Sequence, residues 1–160
     1  MCYTKPLKSG SEESCPLKGR LTNSLRVLET KIFPTLWNDG NSWPFHEPVD
    51  PVKMDLPDYF DVIKNPMDMA TIKRKLMARS YYSVEECVKD FELMFSNCYI
   101  YNPPQDAIVR MAKKLQEKFR ACLAYLPNIE IEIQVLKVQQ CLIHTIHRLR
   151  IVILKDKEKR

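Results

Sequence analysis

The residue best placed to do chemistry is Asn102, which directly precedes two prolines, Pro103 and Pro104. Proline disfavours the helical conformation at the residue before it and cannot donate a backbone N–H, so a helix leading to this point ends near Tyr101. The Asn102 carboxamide then lies at a helix–loop junction, where its two donors and one acceptor could bind a neutral polar group of a ligand. An asparagine before proline is also an ordinary helix stop, and these residues alone leave both interpretations open.

Catalytic and metal-binding patterns are weaker. Cys141, His144 and His147 are spaced i, i+3 and i+6, which spreads them around a helix, and the sequence offers no evident fourth ligand, so we predict no metal site. His46 has no serine or cysteine nucleophile placed near it in sequence, and the three glycines form no phosphate-binding loop. We therefore predict a protein that is not an enzyme and needs no cofactor. A hydrolase that uses His46 is the weakest alternative.

The formal charge of +5 lies in the two ends of the chain, because residues 21–127 carry equal numbers of basic and acidic side chains. This distribution argues against a nucleic-acid-binding core, although basic tails add weak attraction to nucleic acid. The six cysteines form no C-x-x-C pair and the polar N-terminus lacks a signal-peptide pattern, so we expect a reducing, intracellular compartment. No uncharged apolar run reaches transmembrane length, and we expect a soluble protein without membrane association.

Four amphipathic helices are predicted from apolar residues that recur every three or four positions. They cover, in order, a stretch from Leu21 to the turn at 38–41, a stretch after the capping residue Asp68, residues 83–101, and about 106–125. Pro34 should loosen the last turn of the first helix. Met77 should face inward on the second, and the S-x-x-E spacing of Ser83 and Glu86 predicts a capping box at the start of the third.

The segment between the first two helices, residues 41–66, combines several prolines with many apolar side chains. A loop of this length is uncommon in a compact domain and is usually functional where it occurs. We expect a short helix near 58–63. The apolar residues that should fold back and pack are Trp43, Phe45, Val49, Met54, Leu56, Tyr59 and Phe60.

These elements predict an all-α fold, an antiparallel four-helix bundle with a long first interhelix loop. We expect a disordered leader at 1–20, the helical domain at 21–127 and a C-terminal extension at 128–160. In the extension, Ile129, Ile131 and Ile133 alternate with polar residues as in a strand, whereas a longer stripe from 131 to 153 fits a helix, which we favour for its length. A protein-interaction scaffold that uses the 129–154 segment is the alternative function.

Several motifs in the same order resemble a bromodomain over roughly residues 21–127. They are Trp43-Pro44-Phe45, Pro48-Val49-Asp50, Leu56-Pro57-Asp58-Tyr59, Asn65-Pro66-Met67-Asp68 and Met-Phe-Ser-Asn-Cys-Tyr-Ile-Tyr-Asn at 94–102. The first and last of these are most similar to the BET (bromodomain and extra-terminal) branch. Ile108, two residues after Asp106, is similar to the first bromodomain of those proteins, whereas the proline pair after Asn102 is more like the second; we favour the first type. Met54 stands where leucine is usual, and Ala70 where glycine is common.

The resemblance implies a left-handed four-helix bundle whose first and last interhelix loops form an acetyl-lysine pocket. Asn102 would donate a hydrogen bond to the acetyl carbonyl, and Tyr59 would hold the same carbonyl through an ordered water. The other implied pocket residues are a shelf of Trp43 and Pro44, walls of Phe45, Val49, Met54, Leu56, Cys98 and Tyr101, and a gatekeeper, Ile108. The implied function is nuclear: reading acetylated histone tails, H4 in particular, in transcription regulation together with chromatin-associated proteins.

Overall fold

The computed structural model describes residues 19–133, which form an all-α four-helix bundle as predicted. The first long helix has three parts: α1 (Asn23–Val27), a π-helical turn (Leu28–Ile32) and α2 (Phe33–Trp37). The other helices are α3 (Tyr59–Val62), α4 (Met69–Met77), α5 (Val84–Tyr101) and α6 (Ala107–Leu123). The bundle consists of the three-part helix with α4, α5 and α6, while the short α3 lies inside the long loop, where a short helix was expected.

Pro34 explains why the first helix widens. Its ring has no N–H to donate and clashes with the carbonyl one turn before it in a regular α-helix. The π-helical turn ends just ahead of it, and the backbone N–H of Phe33 donates to the Leu28 carbonyl, five residues back. One extra residue in the turn accommodates the ring, so the helix continues through Pro34 to Trp37.

Helix α5 is the centre of the bundle and packs against α1, α3, α4 and α6. The side chains on its inner face are all buried: Val84, Cys87, Phe91, Met94, Phe95 and Cys98. The Phe91 ring stacks on Phe119 of α6 at 4.4 Å between centroids and lies 6.2 Å from Phe33 of α2. Each such buried side chain contributes about 1.5–3 kcal/mol, so this aromatic layer is a main source of stability and fixes the position of the end of α5.

Helix α4 begins where the sequence predicts. The Asp68 carboxylate accepts the backbone N–H of Thr71 at 2.8 Å and so acts as the N-cap. The inward placement of Met77 is wrong, because this side chain is 66% exposed. The inner face of α4 is already complete with Met69, Ile72 and Leu76, and Met77 ends the helix one position further round.

Helix α5 also begins where expected, but the predicted capping box does not form. Ser83 makes no side-chain capping bond, and the Glu86 carboxylate accepts the backbone N–H of Tyr82 instead. The Val84 N–H donates to both carboxylate oxygens of Glu130, at 3.1 and 3.3 Å. A carboxylate from the far end of the described chain thus caps the central helix.

The preference for a helix from 131 to 153 is wrong for residues 131–133, the described part of that stripe, which are not helical and form an antiparallel bridge with the start of the bundle, Glu132 opposite Thr22. Asn23 N–H donates to the Ile131 carbonyl at 3.0 Å, and Ile133 N–H donates to Leu21 at 2.7 Å. The Asn23 amide bonds to Ile129 and Ile131 as well, so it holds the backbone more firmly than strand pairing alone. The rest of the predicted stripe, the Cys141–His147 group and the leader up to residue 18 lie outside the described residues.

Within residues 19–133, no helix has the length and apolar character needed to cross a membrane.

Candidate functional site

A cavity of about 250 Å³ opens at the end of the bundle where α5 stops. It lies between the long loop, residues 38–68, and the junction of α5 with α6. The structure brings all the predicted pocket residues to its lining: Trp43, Pro44, Phe45, Val49, Met54, Leu56, Tyr59, Cys98, Tyr101, Asn102 and Ile108. Most of this wall is apolar, so the few polar groups that face it decide what it can bind.

The Asn102 carboxamide is held in one orientation by the last turn of α5. Asn102 leaves the helix in an extended conformation, φ −100° and ψ 144°, as expected for a residue before proline. Both its backbone N–H and its side-chain Nδ2 donate to the Cys98 carbonyl, at 3.1 and 2.9 Å. One amide hydrogen is thereby used for positioning. The same nitrogen also lies 3.8 Å from the Cys98 sulfur, a weak acceptor that a carbonyl oxygen of a ligand would replace.

Tyr59 supplies a second polar group to the cavity lining. The residue is 6% exposed, and its ring meets Tyr101 edge-on at 4.9 Å between centroids. Burial raises the pKa of the Tyr59 phenol, with smaller contributions from Cys98 and Asp68, so the hydroxyl keeps its proton at neutral pH and can donate a hydrogen bond. The hydroxyl and the Asn102 amide thus line the same apolar space.

The beginning of the long loop is anchored on the end of α2 by His46. Its ring stacks flat on Trp37, 3.9 Å between centroids, and its Nε2 lies 3.0 Å from the Trp37 carbonyl and 2.9 Å from the Ser42 hydroxyl. The His46 carbonyl accepts the N–H of Ala70 at the start of α4. Because its ring nitrogen is bonded to the loop, His46 has a structural role and fixes the Trp43–Phe45 turn.

The end of the loop is anchored on α5 by two polar contacts. The buried Asn97 amide donates to the Asn65 carbonyl at 2.8 Å, and the Tyr101 hydroxyl donates to Asp58 at 2.8 Å. Both contacts start from the last two turns of the helix that carries Asn102. The loop wall and the carboxamide are therefore positioned by the same element.

Three apolar loop residues do not pack as predicted. Trp43 is 68% exposed, Met54 57% and Phe60 54%. Trp43 and Met54 line the cavity, so one side of each side chain faces open space and not protein. Phe60 lies outside the lining and touches the edge of the Tyr59 ring from the solvent side. Phe45 and Tyr59 are buried as expected, and Val49 and Leu56 are half-buried.

The Cys98 thiol forms part of the wall and is poorly suited to act as a nucleophile. It is 7% exposed, and burial raises its pKa to about 11, so it is a thiol and not a thiolate at neutral pH. Among residues 19–133, no group of His, Cys, Asp and Glu side chains is placed to hold a metal ion.

Sequence reasoning missed some of the lining, namely Glu47, Met67, Asp68, Met94 and Asn97. Two of these could have been predicted from helical spacing. Met94 and Asn97 lie four residues before Cys98 and Tyr101, respectively, on the same face of α5. Asp68 had been predicted only as a cap. Glu47 and Met67 reach the cavity through the path of the loop, which helical periodicity does not encode.

The arrangement suits an elongated, uncharged side chain that ends in a carbonyl group. Its apolar stem would contact the aromatic and aliphatic walls, and one fixed N–H would meet its oxygen. The sequence matches the family model for the bromodomain over residues 29–114, which include the long loop, all of α5 and the start of α6. This match covers more than half of the chain and all of the cavity lining. The chain therefore belongs to the bromodomain family.

Proposed function

We propose that this cavity reads acetyl-lysine on histone tails, with histone H4 as the preferred ligand. The observation that carries the proposal is the Asn102 amide, which is anchored on the Cys98 carbonyl and otherwise donates only a weak contact to the Cys98 sulfur within the described residues. Membership of the bromodomain family supports acetyl-lysine reading in chromatin. The acetyl carbonyl would accept from Asn102, and the Tyr59 hydroxyl would reach the same oxygen through a water molecule.

Selectivity for the acetylated form follows from the chemistry of the walls. An unmodified lysine would bring an ammonium group into an apolar space, where losing its hydration costs far more than the cavity returns. Acetylation removes the charge and supplies a carbonyl that Asn102 can satisfy. Within the described residues, the lining carboxylates are Glu47, which is exposed, and Asp68, whose oxygens bond to Thr71. Asp68 is thus already bonded within the protein, and Glu47 is exposed to water, where an ion pair with a lysine contributes little.

The finer assignment rests on the motifs of the wall and gate. The Trp43–Phe45 turn and the run ending at Asn102 are similar to the BET branch, and Ile108 at the cavity lining is similar to its first-bromodomain type. We therefore propose a nuclear role in transcription regulation through acetylated H4. One buried side chain makes a small interface, so the binding free energy should be about −5 to −7 kcal/mol.

Calorimetric titration of the full chain with acetylated and unmodified H4-tail peptides tests this proposal. Asn102→Ala leaves the acetyl carbonyl without its donor and should weaken binding by about tenfold or more, because an unsatisfied buried acceptor costs about 1–3 kcal/mol. Asn38→Ala is the matched control, since Asn38 also ends a helix but is exposed and away from the cavity. Equal affinity for both peptides, or an Asn102→Ala variant as strong as Asn38→Ala, would refute acetyl-lysine reading.

An acetylated H3-tail peptide of the same length tests the finer claim. Binding at least as tight as that of the acetylated H4 peptide would remove the H4 preference and leave acetyl-lysine reading intact.

A further inference from the structure

Met54 is the most accessible sulfur on the cavity wall. Its side chain is 57% exposed while it lines the cavity, whereas Met94 on the same lining is 2% exposed and Met67 is half-buried. It stands in a tight turn in which its N–H donates to the Asp50 carbonyl at 3.0 Å. The next residue, Asp55, has a left-handed φ of 55°. The turn therefore presents the thioether to solvent and to the cavity at once.

The other sulfur that could react on this wall is Cys98, and the structure protects it. Thiolates react with peroxide far faster than thiols do, but the Cys98 sulfur is 7% exposed and burial raises its pKa to about 11. The reactivity of a thioether does not depend on deprotonation, so the exposed Met54 needs no ionisation step before it meets peroxide. Peroxide should therefore oxidise Met54 before Cys98, because Met54 is more exposed and the Cys98 thiol stays protonated.

We propose that Met54 is an oxidation site through which peroxides weaken ligand binding in this cavity; this inference rests on the proposed function. The sulfur lone pair attacks one oxygen of hydrogen peroxide, the O–O bond breaks and a sulfoxide forms. The hydroxide that leaves takes up the proton of the transferred oxygen and departs as water. The methionine loses two electrons, and the peroxide gains them.

The sulfoxide makes this part of the wall polar, so a bound ligand must displace water from it. A polar S=O group replaces a soft apolar contact, and a bound side chain would cover part of it without offering a donor. Because Met54 stays partly in water, the loss should be at the low end for a buried polar group, about fivefold in affinity. Sulfoxides are reduced enzymatically, so the loss should be reversible.

The test uses the full chain treated with hydrogen peroxide, peptide mass spectrometry to locate the added oxygen, and calorimetry with the acetylated H4 peptide. Met54→Leu keeps the volume and apolar character of the wall and removes the sulfur. Met77→Leu is the matched control, because Met77 is 66% exposed but does not line the cavity. Treated wild type and Met77→Leu should each lose about fivefold in affinity, methionine sulfoxide reductase should restore it, and Met54→Leu should bind equally before and after treatment.

Each result has a definite reading. Full affinity after complete oxidation of Met54, or an equal loss in Met54→Leu, would overturn the inference alone. The same holds if Met67 or Met94 is oxidised before Met54. If untreated wild type fails to bind the acetylated peptide, the proposed function falls, and this inference with it.

Discussion

Replacing Glu130 by alanine should destabilise the bundle from a position outside the family match. Glu130 joins the starts of two helices. Its carboxylate accepts the Val84 N–H at the start of α5 and the hydroxyl proton of Thr22, while the Thr22 oxygen accepts the Leu25 N–H and so caps α1. Thr22 is completely buried, so its hydroxyl depends on this partner.

The size of the effect follows from these contacts. Loss of a side-chain cap costs about 1 kcal/mol, and removal of a negative charge from a helix N-terminus adds about 0.3–1 kcal/mol. The buried Thr22 hydroxyl, left without its acceptor, adds about 1 kcal/mol, although water entering the gap would reduce this. We expect a total of about 2 kcal/mol. In a chain of this size each kcal/mol lowers the melting temperature by roughly 2–4 °C, so Glu130→Ala should melt about 4–8 °C lower.

Urea and thermal unfolding of Glu130→Ala and Glu132→Ala measure this difference. Glu132 is the matched control, because it lies two residues along the same segment and, within residues 19–133, its carboxylate pairs with Arg20 alone, both side chains being about half exposed. Glu132→Ala should lower the free energy of unfolding by less than about 0.5 kcal/mol. Affinity for the acetylated peptide should be unchanged in both variants, since the 18-residue α5 separates Val84 from Asn102 by about 27 Å. Equal stability of the two variants would refute the capping role of Glu130.

Three further outcomes are expected. Tyr59→Phe should weaken acetyl-peptide binding about three- to tenfold in calorimetry, because a water bridge is lost while the ring stays packed; unchanged affinity would exclude the bridge. Asn97→Ala should lower the unfolding free energy by about 1–2 kcal/mol in urea, because the Asn65 carbonyl loses its donor; no change would mean that this bond does not hold the loop. The pKa of Asp39 is lowered from 3.8 to about 2, mainly by its hydrogen bond with Lys118. The fold therefore gains stability above pH 4 that is lost as the pH falls from 4 to 2. Asp39→Asn should lack this loss, about 1–2 kcal/mol after solvent screening of the exposed lysine, and parallel pH–stability curves would contradict it.

The sequence predicted the bundle because the positions of its helices depend on local rules, whereas the composition of the cavity was implied by the resemblance of its motifs to a bromodomain. Apolar spacing at 3–4 residues is sufficient to place the inner stripe of α5, and the proline after Asn102 fixes the end of that helix. Asp68 caps α4 through a contact three residues away, which is also local. The binding roles of the cavity residues stay a prediction.

The failures come from contacts between distant parts of the chain. The S-x-x-E pattern at Ser83 was a sound local signal, but Glu130, 46 residues further on, took the position of the cap. A distant contact also explains residues 129–133. The backbone of Leu21 and Asn23 forms hydrogen bonds with Ile131 and Ile133, and the periodicity of the sequence does not reveal that partner. The prediction for Met77 was wrong for another reason. Leu76 and Met77 are adjacent at the end of α4, and only Leu76 lies on the packed face.

The central claim is that the Asn102 side-chain amide donates a hydrogen bond to the acetyl carbonyl, and the side-chain amide signals of the ¹⁵N-labelled protein test it most directly. Addition of an acetyl-lysine peptide should shift one Asn102 Nδ2 proton strongly downfield and leave the other, bonded to Cys98, much less affected. Asn102→Asp, which lacks both signals, provides the assignment. Saturation by the peptide with both Asn102 amide signals unmoved would contradict the account.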